Sequence, residues 1–263
     1  KMIIDKNPKQ LKFDFALWTR RAVRALIKRE FQVDISLPTV GVYLRSWGMS
    51  AQRPARRAIE QDNERVRQWK QEQYPAIAQR AKAENAVIYW GDETAVKHDT
   101  NWVTGYSPKG QTPVLKCHDG RWKTATMISA ISNQGLLRFK VNDKPMNQQS
   151  FIEFLEDLIE DEDRKIFLIV DNLKVHKSKL VTQWVDEHKD RIELFFLPPY
   201  SPELNPDEYV NRALKTDIRS RAPAAVEGLK KRTMKFMAKM ARSTRRILKI
   251  FEIEPVRYAA AVC

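Results

Sequence analysis

Three acidic residues occupy positions from which they can do chemistry together. Asp92 and Asp171 each come directly after a strand-like apolar run, and Glu208 follows a third such run at the head of a helix. Sites in open sheets form just outside the carboxyl ends of the strands. Carboxylates there can hold two divalent cations about 3.5–4 Å apart, and such a pair promotes phosphodiester displacement. Because oxygen ligands suit Mg²⁺ or Mn²⁺, we predict a catalytic, two-metal site formed by Asp92, Asp171 and Glu208.

Each acid also has a purely structural interpretation. Asp92 can end a strand in a turn, and Asp171 followed by Asn172 can form an Asx-turn. The segment 205-NPDE-208 resembles a helix start in which Asn205 is the N-cap and Glu208 completes a capping box. Any one of these acids alone would more often be structural. Three of them at successive strand ends favour the metal site.

Helical periodicity separates the two adjacent acids of this segment. At about 100° per residue, Asp207 shares a face with Leu214 and Ile218, two and three turns later, so we expect it on the packed side, near the positive helix end. Glu208 instead heads a stripe of basic residues that can follow a phosphate backbone: Arg212, Lys215 and Arg219. The pattern therefore favours Glu208 as the reactive acid.

The elements that must position these acids alternate between strands and helices. From residue 87 onward, the pattern predicts strand 87–94, hairpin 124–132 and 136–141, helix 147–163, strand 165–172, helix 178–190, strand 192–197 and a helix from about 206. This order predicts an α/β fold with a mixed sheet flanked by helices. The residues after 223 are basic and helical to about 248.

A small helical module precedes this region. Apolar residues at helical spacing predict one helix over 15–31, and Ser36 is a plausible N-cap for a second helix that ends at Gly48. Two helices joined by a tight turn are typical of a helix-turn-helix, although an ordinary helical pair would give the same pattern. The basic stretch 49–58 is either a wing or a linker. We expect DNA contacts from Arg45, Arg53, Arg56 and Arg57.

Charge is distributed unevenly along the 263 residues, which carry a net charge of +14. Residues 1–85 contain 18 Lys and Arg against 9 Asp and Glu, and residues 209–263 contain 14 against 4. Residues 86–208 contain 15 against 20. Basic ends indicate a polyanionic partner, most simply nucleic acid. An acidic middle suits DNA only if its carboxylates hold metal ions.

Composition excludes several other classes of protein. The longest apolar run, 166-IFLIV-170, is too short to span a membrane, and the N-terminal residues lack the apolar core of a secretory signal. Cys117 and Cys263 are far apart in the sequence and fit no metal-binding spacing. We therefore expect a cytoplasmic protein without disulfides. The predicted domains are a helix-turn-helix module (1–58), a helical linker (59–85), a catalytic domain (86–222) and a basic helical segment (223–263).

Several motifs together resemble those of the DDE transposases of the mariner superfamily, in its bacterial insertion-sequence branch. The motifs are 90-WGDET-94, 170-VDNLKVH-176 and, most specific, 196-FLPPYSPELNPDE-208. Upstream, 39-TVGVYLRSWG-48 resembles a helix-turn-helix of that branch, and 251-FEIEPVRYAA-260 resembles its usual ending. The similarity spans essentially the whole chain.

The resemblance implies an RNase H-like core with Asp92, Asp171 and Glu208 as catalytic acids and Mg²⁺ as cofactor. The 36 residues between Asp171 and Glu208 are a plausible gap for this group. The implied activity is cleavage at transposon ends and joining to target DNA at TA dinucleotides. The implied partners are double-stranded DNA, with terminal inverted repeats as the specific sequence, and a second copy of the chain in a synaptic homodimer. The implied location is the bacterial cytoplasm, on the nucleoid.

Two positions depart from the family pattern. The residue before the last acid is usually apolar and is Asp207 here; a Trp often follows shortly after that acid, where this chain has 209-YVN-211.

Beside Asp171, we expect Lys174 and Lys177 to contact phosphates unless they lie on a solvated helix start. His176 contacts DNA, orients a carboxylate, or is simply a histidine at the N-terminus of a helix.

Two other functions fit part of the sequence. An RNase H-like nuclease acting on RNA–DNA hybrids or junctions would share the acids but would not need the helix-turn-helix module. A DNA-binding protein without catalytic activity would share the basic ends but would not need the acids.

Overall fold

The computed structural model describes residues 1–52, 54, 58–97, 106–112, 124–142, 145–220 and 226–260. The chain divides into two compact units, Lys1–Arg56 and Arg57–Cys263. In the described part of the chain, no helix has the length and apolar character needed to cross a membrane.

The first unit is helical. Its helices are α1 (Met2–Asp5), α2 (Arg20–Phe31) and α3 (Leu37–Ser46). Helix α2 begins at Arg20 rather than at residue 15, because the hydroxyl of Thr19 accepts a hydrogen bond from the Ala22 amide and caps the helix there. Ser36 caps α3 as predicted, by accepting a hydrogen bond from the Thr39 amide. Residues 53 and 55–57 of the proposed wing lie outside the described residues.

A broken helix leads into the second unit. It consists of α4 (Asn63–Gln68), a π-helical turn (Trp69–Gln73) and α5 (Tyr74–Ala83). The hydrogen-bonding pattern widens in the turn before Pro75, because this proline cannot donate a backbone hydrogen bond.

A five-stranded sheet forms the centre of the second unit. Its strands are β1 (Val87–Lys97), β2 (Thr124–Ser132), β3 (Leu137–Asn142), β4 (Ile166–Val170) and β5 (Ile192–Phe196). The spatial order is β3-β2-β1-β4-β5. Strands β1 to β3 pair in antiparallel fashion, whereas β4 and β5 run parallel to β1. The sheet is therefore mixed, and its order confirms the predicted RNase H-like core.

Helices cover both faces of this sheet. The remaining helices are α6 (Gln148–Glu160), α7 (Lys179–Glu187), α8 (Asp207–Arg219), α9 (Val226–Ala241) and α10 (Thr244–Leu248). Apolar residues of α6 and α7 pack on one face of the sheet, and those of α5 and α8–α10 pack on the other. Short 3₁₀ turns follow at Lys249–Glu252 and Glu254–Ala259. The two cores hold the strands rigidly, which fixes the positions of the strand ends.

Strand β1 differs from the prediction in length. It was expected to end near the acids at 92 and 93, but it continues to Lys97. The parallel pairing with β4 stops at Trp90, whereas the antiparallel pairing with β2 continues to Lys97 and keeps the backbone extended. Asp92 therefore lies inside a strand, just past the point where its parallel neighbour ends.

Candidate active site

The three predicted catalytic acids line one cavity of about 440 Å³. Asp92 comes from β1, Asp171 from the end of β4, and Glu208 from the first turn of α8. The other lining residues come from the segments that follow β4 and β5: Asn172, Leu173, Leu197, Pro198, Pro199, Tyr200, Ser201, Pro202 and Asn205. One wall is thus acidic and another is largely apolar.

Asp92 is more enclosed than Asp171. Its Oδ2 accepts a hydrogen bond of 2.8 Å from the side-chain amide of Asn211 on α8. Burial, reinforced by the nearby charge of Glu208, raises the pKa of Asp92 to about 7. Without a cation, this carboxyl group is therefore only partly ionised at neutral pH.

Asp171 has the opposite electrostatic environment. Its Oδ1 accepts a hydrogen bond from the Leu173 amide at 3.0 Å, which is the Asx-turn considered as its structural role. Partial burial alone would raise the pKa of Asp171, but hydrogen bonds from His176 and the Leu173 amide outweigh it and hold this pKa below its usual value. Asp171 is therefore fully ionised at neutral pH, and its side chain is 43% exposed.

His176 joins the ends of two strands. Its Nε2 lies 3.2 Å from Glu93 Oε1 on β1, and its Nδ1 lies 3.2 Å from Asp171 Oδ1. Its ring packs on Phe151 of α6, with 4.5 Å between centroids. Burial alone would lower the pKa of His176, but its bonds with Asp171 and Glu93 raise it to about 9. The imidazolium therefore neutralises two carboxylates.

Burial favours one of the roles considered for His176. The residue is 3% exposed and contacts Asp171 and Glu93, which favours a role in orienting a carboxylate. Its DNA contact stays a prediction.

Glu208 is positioned by Asn205 rather than capped by it. The capping box is not observed, because Pro206 is the N-cap residue of α8 and no side chain caps the helix. Asn205 instead accepts a hydrogen bond from the Asp207 amide at 3.0 Å and donates one to the Gly91 carbonyl at 2.9 Å. These two bonds fasten the start of α8 to β1, next to Asp92.

Asp207 faces the interior, as its helical phase predicts. It is fully buried, and its Oδ2 accepts a hydrogen bond of 2.7 Å from the Ser129 hydroxyl on β2. Burial, with the charge of Asp92 added, raises the pKa of Asp207 well above its usual value. Asp207 does not line the cavity, whereas Glu208 does.

The residues expected to contact DNA differ in their exposure. Arg45, Lys174, Lys177 and Arg212 are exposed, whereas Lys215 and Arg219 are half-buried. Lys177 also donates a hydrogen bond to the Asn172 side chain and lies over the Phe196 ring. The Arg212 guanidinium lies 4.9 Å from the centre of the Tyr209 ring. Arg53, Arg56 and Arg57 lie outside the described residues.

The donor chemistry of the cavity fits Mg²⁺ or Mn²⁺. In the described part of the chain, no three His, Cys, Asp or Glu side chains are grouped so as to hold one metal ion. Mg²⁺ does not need three, because it typically uses one or two carboxylates and completes its shell with water and phosphate oxygens. Burial and the repulsion from Glu208 raise the pKa of Asp92, and a cation at the carboxylate would offset both.

Sequence reasoning missed the bonds that four residues make around the acids. Asn211 donates to Asp92, Ser129 donates to Asp207, Glu93 bonds His176, and Asn205 joins α8 to β1. For Asn211, a signal was present: it is polar yet lies one turn after Asp207, on the buried face of an amphipathic helix.

Two families match the chain. Residues 87–230 match the DDE superfamily endonuclease family, and residues 14–73 match the winged helix-turn-helix family. No curated protein sequence is significantly similar to the chain.

Several solved structures share the fold. One is the Mos1 strand transfer complex, with a TM-score of 0.59 and 17% identity, covering 94% of this chain and 79% of that one. Another is the Mos1 mariner paired end complex with Mn, with a TM-score of 0.60 and 18% identity over 92% and 79% of the two chains. A pre-cleavage Mos1 transpososome gives a TM-score of 0.60 and 17% identity, covering 94% and 80%. The first family covers more than half of the sequence, and it includes the three acids, the sheet and the start of α9. The chain therefore belongs to the DDE superfamily of endonucleases.

Proposed function

We propose that this protein is a DNA transposase of the mariner superfamily, from the bacterial insertion-sequence branch. It cleaves the ends of its element and joins them to target DNA at TA dinucleotides. The observation that carries the proposal is the cavity lined by Asp92, Asp171 and Glu208, which come from three different elements of the fold. Membership of the DDE superfamily and the similarity to Mos1 complexes support it.

The three acids divide the work of metal binding. Asp171 is ionised and accessible, so it holds its ligand position permanently. The negative charges of Glu208 and Asp171 add to the effect of burial and disfavour ionisation of Asp92. Asp92 would therefore become fully charged only when cations bind. Two Mg²⁺ or Mn²⁺ ions held by these residues would act as Lewis acids on the attacking and leaving oxygens.

Two further residues, His176 and Asn205, hold the three acids in position. His176 holds Asp171 and Glu93 together, and Asn205 holds the first turn of α8 against β1. The reaction then has two displacements at phosphorus. Water attacks the phosphodiester at the transposon end and releases a 3′-hydroxyl, and this hydroxyl attacks a target phosphodiester, with the other target strand end as leaving group.

The DNA is held outside the cavity by basic residues. Arg212, Lys215 and Arg219 extend from Glu208 along α8, and Lys174 and Lys177 flank Asp171. We assign Arg45 of α3, with Arg53, Arg56 and Arg57, to the inverted repeats. The Mos1 structures of similar fold include a paired end complex, and we propose a homodimer that brings two ends together. The reaction takes place in the bacterial cytoplasm, on the nucleoid.

A strand-transfer assay tests the proposal. Duplex DNA carrying the inverted repeat of the element, a TA-containing target and Mg²⁺ are incubated with the wild-type chain and with Asp171→Ala. We expect cleaved and joined products only with the wild type. Equal behaviour of the two proteins would contradict the catalytic role of the acids.

The same assay separates the two other functions. Cleavage of an RNA–DNA hybrid without cleavage of duplex ends would favour a nuclease of the RNase H type. Specific binding of the repeats without any cleavage would favour a non-catalytic DNA-binding protein. The helix-turn-helix family match at 14–73 argues against the first of these.

A further inference from the structure

The two departures from the family pattern lie in one place in the structure. Asp207 and Asn211 are one helical turn apart on the buried face of α8, and both are fully buried. They approach two residues that are direct cross-strand partners, Asp92 on β1 and Ser129 on β2. Asp207 accepts from the Ser129 hydroxyl at 2.7 Å, and Asn211 donates to Asp92 at 2.8 Å.

Each of these two side chains has one oxygen without a partner. Neither Asp207 Oδ1 nor Asn211 Oδ1 has a hydrogen-bonding partner among the described residues. Buried polar atoms are rarely left unpaired, because each costs about 1–3 kcal/mol. Two buried oxygens without partners, on neighbouring turns of one helix face, make this part of α8 polar where it faces Asp92.

We propose that Asn211 is a positioning residue, which holds the carboxylate of Asp92 in place for metal binding. Its side-chain amide donates to Asp92 Oδ2 at 2.8 Å, and its full burial on α8 keeps the amide in that position. The inference rests on the proposed function, since it assigns Asp92 to the metal site.

The chemistry of the Asn211 amide suits this role. Asp92 needs a donor that leaves its other oxygen available to a cation, and a neutral amide supplies one without competing for the charge. Residues that orient metal ligands in this way typically change metal affinity or activity by roughly 10–100-fold when they are replaced. Asn211 therefore places a polar support for Asp92 on the buried face of α8.

Mn²⁺ binding to the full chain, measured by titration calorimetry without DNA, tests the inference. Asn211→Leu keeps the branching of the side chain but removes the donor, and we expect it to weaken Mn²⁺ binding by roughly 10–100-fold. Its KM for DNA should stay unchanged, whereas kcat should fall. The matched control is Val210→Ala, which leaves a cavity on the same helix without removing a polar contact. It should lower Tm and leave Mn²⁺ binding unchanged.

Asp207→Asn gives a second test. It changes the neighbouring buried residue of the same helix face but keeps an acceptor for the Ser129 hydroxyl and leaves the bond from Asn211 to Asp92 in place. Its Mn²⁺ binding should stay near that of the wild type. A loss as large as that of Asn211→Leu would overturn the specific role of Asn211.

The outcomes distinguish this inference from the proposed function. Wild-type Mn²⁺ affinity in Asn211→Leu, or an equal loss in Val210→Ala, would overturn the inference alone. A wild-type protein that binds Mn²⁺ but joins no DNA ends would overturn transposition and leave the positioning role intact.

Discussion

Asp92 and Asp171 are supplied by neighbouring parallel strands of one sheet, yet their surroundings are opposite in character. Asp171 is half-exposed and bonded to an imidazolium, which holds its pKa below the usual value. Asp92 is enclosed, bonded to a neutral amide and close to Glu208, and its pKa rises to about 7. The difference teaches that the site contains one acid that is always charged and one whose charge depends on a cation.

The neighbours of the two acids explain this difference. His176 reaches Asp171 from the face of the sheet that carries α6, where its ring packs on Phe151. Asn211 reaches Asp92 from α8, on the opposite face. The charged support of Asp171, which is His176, and the neutral support of Asp92, which is Asn211, thus come from opposite faces of the sheet. Separate mutations can remove them.

The largest expected effect is the loss of chemistry itself. Asp171→Ala and Glu208→Ala should each lower strand transfer by about 10³-fold or more, because the metal site then loses a carboxylate ligand. Asp186→Ala, in an exposed acid of α7, is the matched control and should retain full activity. Asp207→Ala should lose stability while it keeps substantial activity, because Asp207 does not line the cavity.

Product formation on gels and thermal unfolding measured on the same preparations would check this prediction. Equal loss of activity in well-folded Asp207→Ala and Glu208→Ala would contradict the division of roles between these two residues.

Removing the charged support should have the next largest effect. His176→Leu leaves Glu93 and Asp171 without their shared partner, and we expect roughly 10–100-fold weaker Mn²⁺ binding. His176→Gln keeps a hydrogen-bond donor and should lose less. Titration calorimetry would measure both variants. If His176→Leu binds Mn²⁺ as the wild type does, the histidine supports packing only.

Neutral replacements of the two acids should shift stability in opposite directions. The pKa of Asp92 in the folded protein, about 7, lies above the unfolded value of about 3.9, so ionisation of Asp92 destabilises the fold as pH rises through this window. At pH 8 without metal, Asp92→Asn should therefore raise Tm. The pKa of Asp171 is lowered, so its charge stabilises the fold above its unfolded pKa, and Asp171→Asn should lower Tm.

Calorimetry in the presence of a chelator would measure these shifts. About 1 kcal/mol corresponds to roughly 2–4 °C in a domain of this size. Shifts of the same sign in both variants would mean that the contrast between the two acids is not electrostatic.

The smallest effect is expected from the basic stripe that follows Glu208. Arg212→Gln should weaken DNA binding uniformly across sequences and lower the salt dependence, the slope of log K against log salt, by about 1. Arg257→Gln, whose guanidinium is paired with Glu254 at 3.0 Å, is the matched control and should not change the slope. A change in preference among target sequences for Arg212→Gln would show that this residue reads bases rather than phosphates.

Local pattern predicted much of this protein. The alternation of apolar runs and amphipathic segments determined the order of strands and helices, because each depends on residues only a few positions apart. Helical periodicity separated Asp207 from Glu208 for the same reason. The buried face of an amphipathic helix can be predicted from the sequence of that helix, whichever element packs against it. The strand ends likewise indicated where the three acids would lie.

Only the tertiary structure decided how the acids are held. The bonds from Asn211 to Asp92, from His176 to Glu93 and from Ser129 to Asp207 join residues 119, 83 and 78 positions apart. Such contacts depend on strand register and on which helix covers which face, and one sequence pattern is compatible with many registers. For the same reason β1 runs on to Lys97: its length is set by the antiparallel partner β2, not by its own apolar residues. The sequence determined which residues could react, and the packing of α6 and α8 on opposite faces of the sheet determined the charge each one carries.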